Sequence, residues 1–349
     1  MHTSVIVSIS LIIYYLIRKL NKNYNLGKEK DFSNDRKVHI KNNVSRLGGI
    51  TLLSIFFLVF SVNDSTVNQI LLFGLFIFIL GILEDLKSDI PTYIRINYLI
   101  FVISSFVILN NFVIYNFNLY YLDLFLNSYP ILLYLFSILG LLFLINGFNF
   151  IDGLNGLVLG YSLVVLFFFC YYSYSHSTSI YTFSISLFFA VLVLFYFNFI
   201  FGKILAGDGG SYFLGFLIGA ISIHIANEGL MSSTSIAILI FYPFMEAIFT
   251  PIKRHFILKT SFYKSDSFHL HQILYRIILK YNIAVQLNIK AKYTNSISSL
   301  FIILTIFTLI SLGFYLSQFI NEFIIFLSYC MLYLIAYYYL YNIDIKKLS

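Results

Sequence analysis

Tryptophan is absent from this chain, cysteine occurs twice and proline four times in 349 residues, and only 11% of the residues are charged. Each shortage excludes something. Cys170 and Cys330 each lie in an apolar run, which argues against a disulfide framework and against a cysteine-based metal cluster. With charge so scarce and 60% of residues hydrophobic, a soluble globular protein is excluded, and the composition is that of an all-α polytopic integral membrane protein. The 29 tyrosines can take the interfacial role that tryptophan shares in other membrane proteins. No internal repeat and no low-complexity linker interrupts the chain, so residues 1–349 read as a single domain.

What is present is a series of apolar runs approaching the roughly 20 residues that a membrane helix needs. Spans are predicted at 4–19, 48–62, 69–83, 93–109, 130–145, 157–173, 179–197, 212–226, 234–252, 297–318 and 322–341, about eleven in all. The first is short. Arg18, Lys19 and Lys22 follow it in place of a small-residue cleavage site, so a retained span is expected, not a signal peptide.

Charge tests this count. All 22 Lys and Arg fall in 18–47, 84–92, 146–156, 198–211, 253–296 and 342–349, or at the helix ends beside them. The opposite side carries acids alone: Asp64, Asp123, Glu228 and Glu322. The positive-inside rule then places the N-terminus outside and the C-terminus in the cytoplasm. The net charge of +7 is accounted for by this asymmetry and does not argue for nucleic acid.

The polar motifs gather on the basic side. The densest is Asn146–Leu157, NGFNFIDGLNGL, with Asn146 and Asn149 on one helix face and Asp152 about a turn further on. Polar side chains this concentrated at a membrane-helix end point to a ligand site, or else to a polar loop in which Asp152 or Asn155 caps a helix. Four other stretches accompany it. In 35–50, Arg36, Lys37, His39, Lys41 and Arg46 precede Gly48–Gly49, a composition suited to phosphate or to simple interfacial anchoring. In 81–92, the adjacent acids Glu84 and Asp85 can position a divalent cation or act as general base, unless they only form a charged helix end with Lys87. In 201–216, glycine-flanked Asp208 is a candidate metal ligand or a tight turn. In 253–275, basic residues surround Asp266, His269 and His271, with Glu246 in the preceding span. His-x-His alone is a weak zinc signal, and phosphate or sugar contacts fit equally.

Taken in order, RKVH…RLGG, GxxED, NxxNxxDGxNGL, AGDGGSxFLG and HLHQ resemble the polyprenyl-phosphate N-acetylhexosamine-1-phosphate transferases, the MraY/WecA family, over about residues 35–275. The resemblance implies an all-helical membrane enzyme with a cytoplasmic Mg²⁺ site, Mn²⁺ being an alternative metal. It would transfer a sugar-1-phosphate from a UDP-N-acetylhexosamine to undecaprenyl phosphate and release UMP. It implies Glu84, Asp85 and Asp152 as catalytic residues, and Asp208, Asp85 and Asn149 around the metal. Lys37, His39, Arg46, Asn146, Asn149, Asn155, His269 and His271 would contact substrate. The lipid bilayer is a further partner, nucleic acid is not, and a homodimer stays open. The location implied is the cytoplasmic (inner) membrane, with the active site on the cytoplasmic face.

The chain departs from the family pattern at Glu84 and Asn155, where aspartates are usual, at Gln272 in place of a histidine, and at Glu246 where aspartate is common. RKVH with HLH leans toward the WecA-like branch and toward O-antigen, capsule or teichoic-type polymers. Two other classes are weighed. Polar, glycine-rich helix breaks also suit a solute transporter, which would need no Mg²⁺. The departures also suit an inactive homologue.

Overall fold

The computed structural model describes Tyr15 and residues 44–59, 64–87, 90–175, 178–262, 266–287, 289–290 and 293–345. Its helices in chain order are α1 (Gly48–Val59), α2 (Ser65–Lys87), α3 (Thr92–Leu109), α4 (Tyr120–Ser128), α5 (Pro130–Ile151), α6 (Leu157–Ser173) and α7 (Thr178–Phe201). There follow α8 (Gly207–Asn227), α9 (Ser233–Phe256), α10 (Leu270–Lys280), α11 (Ile283–Gln286), α12 (Thr294–Leu316) and α13 (Glu322–Ile345). The fold is all-α and polytopic. Among the described residues, α2, α3, α5, α7, α8, α9, α12 and α13 are long and apolar enough to cross a membrane, and α6 is a shorter apolar helix of 17 residues. The span expected at 4–19 lies outside the described residues. The helices α4, α10 and α11 are additions to the expected spans.

The bundle is built round α8. Of its membrane-length window 89% is buried, against 22–61% for the other spanning helices, so α8 has almost no lipid-facing side. Helices α1, α2, α5 and α6 pack against it. Apolar side chains gain nothing from leaving lipid, so contact in a membrane depends on dispersion and close fit. Small residues in GDGGSYFLGFLIGA let neighbours approach, and rings fill the space between them. Phe213 meets Phe56 and Phe78 at centroid distances of 6.3 and 5.8 Å, and Phe216 meets Phe106 at 5.1 Å.

At one end of the bundle the acids serve as caps and staples. Asp64 accepts from the amides of Thr66 and Val67 at the start of α2. Asp123 accepts from the amides of Phe117 and Leu119. Glu322 on α13 accepts from the hydroxyls of Ser232, Thr234 and Ser235, tying α13 to the start of α9.

At the other end, α2 and α8 touch backbone to backbone. A Cβ on Gly81 would sit 2.5 Å from the Asp208 carbonyl oxygen and from the nitrogen and Cα of Gly209. Only hydrogen fits there. Gly81→Leu is expected to push α2 off the first turn of α8 and to cost at least about 1–3 kcal/mol, as overpacking does. A thermal melt in detergent equal to that of the wild type would contradict this contact.

Candidate active site

The site starts from an unsolved problem of helix chemistry. The first amides of α8 have no intrahelical acceptor, and the residue before the helix, Ala206, offers no side-chain cap. The chain arrives along 203–206, which is hooked to the first polar loop. Ser45 donates to the Lys203 carbonyl, Leu205 to that of Ser45, and Gly48 and Gly49 to those of Leu205 and Ala206. It then turns sharply at Gly207, whose φ is +73°. A Cβ there would lie 2.1 Å from the Arg46 carbonyl oxygen and 2.7 Å from Asp85 Oδ2.

Carboxylates from two other segments supply the missing acceptors. Asp152 Oδ2 accepts from the Gly207 amide at 2.9 Å. Asp85 Oδ1 accepts from the Asp208 amide at 3.0 Å, and its Oδ2 from the Gly209 amide at 2.9 Å. The positive end of the helix dipole favours both anions.

Asp208 is thereby held with its own carboxylate beside that of Asp85. Its Oδ1 accepts from Asn149 Nδ2 at 2.6 Å, and Asn149 also reaches Ser211 Oγ at 3.3 Å. Arg46 spans the pair, with Nε 3.6 Å from Asp85 Oδ1 and Nη2 3.6 Å from Asp208 Oδ1. Glu84, the neighbour of Asp85, is buried and tied to the same helix: Tyr212, one turn after Asp208, donates its hydroxyl to Oε2 at 2.8 Å. Arg95 Nη1 lies 3.3 Å from Glu84 Oε1.

A second cluster is built on the same logic. Glu246 on α9 accepts from the Leu270 amide at the start of α10, 3.2 Å, and pairs with His269 Nδ1 at 2.8 Å. Gln272 Oε1 accepts from the His269 amide, so this residue serves as a cap where the resembling family carries a histidine. Asp266 lies between Lys253 Nζ at 2.9 Å and Arg254 Nε at 2.5 Å, all three side chains largely buried. Burial alone would raise the Asp266 carboxyl, but His269 and the two cations outweigh it and hold the carboxyl well below the usual range. His271 is fully buried against Gly153 and stacked on His269, and neither ring nitrogen has a hydrogen-bond partner among the described residues. Burial, with His269 beside it, pushes the His271 imidazole down to about 3.

The end of α5 joins the two clusters. Asn149 and Asp152 face α8, while Phe150 lies 5.4 Å from the His269 ring and under the Arg254 guanidinium, and Gly153 abuts His271. Of the residues singled out in the sequence, Arg46, Glu84, Asp85, Asn149, Asp152 and Asp208 therefore come together, with His269 and His271 alongside. Asn146 turns its amide back to the Leu142 carbonyl, 2.8 Å. Asn155 is buried against Gly202, with its amide donating to Asn295 Oδ1 and its carbonyl accepting from Ser299. Lys37 and His39 lie outside the described residues. Sequence reasoning missed Arg95 and Tyr212. Arg95 had a signal, being the only Lys or Arg between Lys87 and Lys203. Tyr212 had none among so many tyrosines.

Asp208 and Asp85 offer carboxylate oxygens, the hard ligands that Mg²⁺ takes, while Asn149 turns its Nδ2 to Asp208 and fixes that carboxylate. Among the described residues no three His, Cys, Asp or Glu side chains close up into a protein-only metal cage. One or two carboxylates left to share an ion with substrate phosphates is the usual Mg²⁺ arrangement, so the residues present fit that metal.

An all-helical membrane protein with an acid-lined site at one end of its bundle is the class that fold and geometry define. Residues 67–226 match glycosyl transferase family 4, and a phospho-N-acetylmuramoyl-pentapeptide-transferase of Dictyoglomus turgidum (strain DSM 6724 / Z-1310) is 30% identical over 268 residues, covering 71% of this chain and 85% of that protein. The chain belongs to this family, the MraY/WecA transferases of the membrane.

Two outcomes are expected from the second cluster. Asp266→Ala would leave two buried cations unpaired and cost about 3–5 kcal/mol, read as a lower melting temperature. His271 refuses in the folded state a proton that the unfolded state accepts below about pH 6.5. Its contribution is thus present above that pH and is lost as pH falls toward about 3. The wild-type melting temperature should decline on acidification from about pH 6.5, and His271→Leu should flatten that part of the curve. Equal slopes would contradict a neutral buried imidazole.

Proposed function

We propose that the chain is a single transferase domain that moves an N-acetylhexosamine-1-phosphate from a UDP-sugar to undecaprenyl phosphate and releases UMP. The step begins a cell-envelope polysaccharide. What carries this reading is the Asp85–Asp208–Asn149 constellation at the start of α8, with Arg46 across it. The family supplies the reaction type, and the curated relative is by name a phospho-sugar-peptide transferase. The WecA-like branch is the proposed placement within the family, on RKVH and HLH.

In this mechanism a phosphate oxygen of the lipid attacks the β-phosphorus of the nucleotide sugar. The bond from that phosphorus to the bridging oxygen breaks, and UMP leaves with the electron pair. Asp208 would hold Mg²⁺, or Mn²⁺ in its place, with Asp85 and Asn149 beside it. The ion would neutralise the diphosphate and the leaving phosphate. Glu84, one residue from Asp85 and anchored by Tyr212 and Arg95, is the proposed base for a proton on the lipid phosphate. Asp152 holds the amide end of α8, so that Asp208 meets the substrate preorganised. Arg46 would give charge-assisted hydrogen bonds to phosphate oxygens, and His269 and His271 border the sugar side. The site is proposed to face the cytoplasm, with the N-terminus outside, because all 22 Lys and Arg gather toward that end.

The test is UMP release by protein purified in detergent, with undecaprenyl phosphate, Mg²⁺ and a panel of UDP-sugars. Lipid-dependent UMP from one sugar is expected, and Asp208→Asn should lower the rate at least about 100-fold, the scale of removing a preorganised charge contact. Silence across the panel from well-folded protein would sink the proposal. Full activity of Asp208→Asn would remove the assignment of that carboxylate.

A further inference from the structure

The last helix, α13, reaches back to the site. Its end near the site carries Tyr337 and Asp344, and both act on the three residues that lead into His269. Arg276 on α10 donates from Nε and Nη2 to Asp344 Oδ2 at 2.9 and 2.5 Å, a forked pair in which the carboxylate is 8% exposed. The same guanidinium donates from Nη1 to the Ser267 carbonyl at 2.7 Å and lies over the Phe268 ring at 5.4 Å. The Phe268 carbonyl accepts from the Tyr337 hydroxyl at 3.0 Å and from Lys253 Nζ at 2.9 Å, and the Phe268 amide donates to Asp266 at 2.9 Å. Ile273, Ile277 and Tyr337 form a small apolar core of their own beneath these contacts.

The backbone of 266–268 is thus gripped from three elements. Lys253 grips it from α9, where Arg254 also holds the Asp266 side chain, Arg276 from α10, and Tyr337 from α13, which also sets the angle of Arg276 through Asp344. Immediately beyond lies His269, whose ring is fixed by Glu246 and stacked on His271. A guanidinium spends its planar fork on a fixed geometry only where both partners are held, and here one partner is supplied by the last helix of the bundle. The C-terminal helix is in this way part of the site's frame, although it lies outside the 67–226 segment that matches the family.

We propose that Arg276 and Asp344, with Tyr337, are positioning residues: they clamp 266–268 so that His269 and His271 meet the sugar-phosphate part of a nucleotide sugar in a preset arrangement. This rests on the transfer reaction proposed above for the link to substrate, while the clamp itself rests on geometry alone.

The experiment uses full-length Asp344→Asn, Asp344→Glu and Tyr337→Phe proteins. Amide hydrogen exchange over 266–272 is read by mass spectrometry, beside KM and kcat for UMP release and a thermal melt. Asp344→Asn should speed exchange in that segment and raise KM for the UDP-sugar about tenfold to a hundredfold, as misplacement near 1 Å does. The melt and kcat should change much less. Asp344→Glu, which keeps the carboxylate, should restore most of both, and Tyr337→Phe should show a weaker version of the same pattern. Unchanged exchange in Asp344→Asn would overturn the clamp. A joint fall of KM-independent rate and melting temperature would also overturn it, because that is general destabilisation. If the wild type turns over no UDP-sugar, the function reading fails and with it the link to substrate, while the exchange arm still decides the clamp.

Discussion

The structure depends on how the first turn of α8 is satisfied. A helix start buried in the middle of a bundle, with no capping side chain of its own, would leave orphan amides at a cost of roughly 1–3 kcal/mol each. Asp85 and Asp152 remove that cost from two directions, and in doing so they lock α2 and the end of α5 to α8. The same bonds set where Asp208 points. Stability and site geometry are one set of contacts here, because Asp85, which caps the helix, stands beside the carboxylate that the helix presents. The close backbone approach of Gly81 and the left-handed turn at Gly207 exist to permit this junction.

The neighbouring histidine cluster repeats the device with different residues. Glu246 caps α10 and holds His269, and Asp266 gathers two buried cations that would otherwise be unpaired. Buried charge is tolerable only when it is closely matched, and these groups are matched within 2.5–2.9 Å. Phe150 and Gly153 link the clusters, so a single turn of chain at the end of α5 serves both.

Three departures from the family pattern acquire a physical role in this setting. Gln272 caps the amide of His269, which a neutral amide side chain does without adding a third imidazole to a crowded pocket. Glu84, one methylene longer than aspartate, reaches both Tyr212 and Arg95 from the end of α2. Asn155 is buried, with its side chain against Gly202 and its backbone amide bonded to Asn295, and a neutral side chain there avoids burying a charge.

The sequence by itself determined the class and most of the helices. Apolar runs of membrane length are a local property, and the boundaries they predict agree with the described helices to within a few residues for most spans, from 130–145 inside Pro130–Ile151 to 297–318 beside Thr294–Leu316. The family could be read from five ordered motifs, since each is a short contiguous string. What those strings do to one another could not be read. That Asp85 and Asp152 would both turn to the amides of α8, that Tyr212 would hold Glu84, and that Asp344 would reach Arg276 from the last helix are pairings across 55 to 128 residues, and Arg95 reaches Glu84 from the next helix, 11 residues on. Hydrophobic periodicity records which residues are buried, not which partner a buried polar atom finds. Only the packing of the helices brought the partners within reach, because an unpaired polar group in a membrane is too costly to leave and the fold that satisfies them together is a property of the whole bundle.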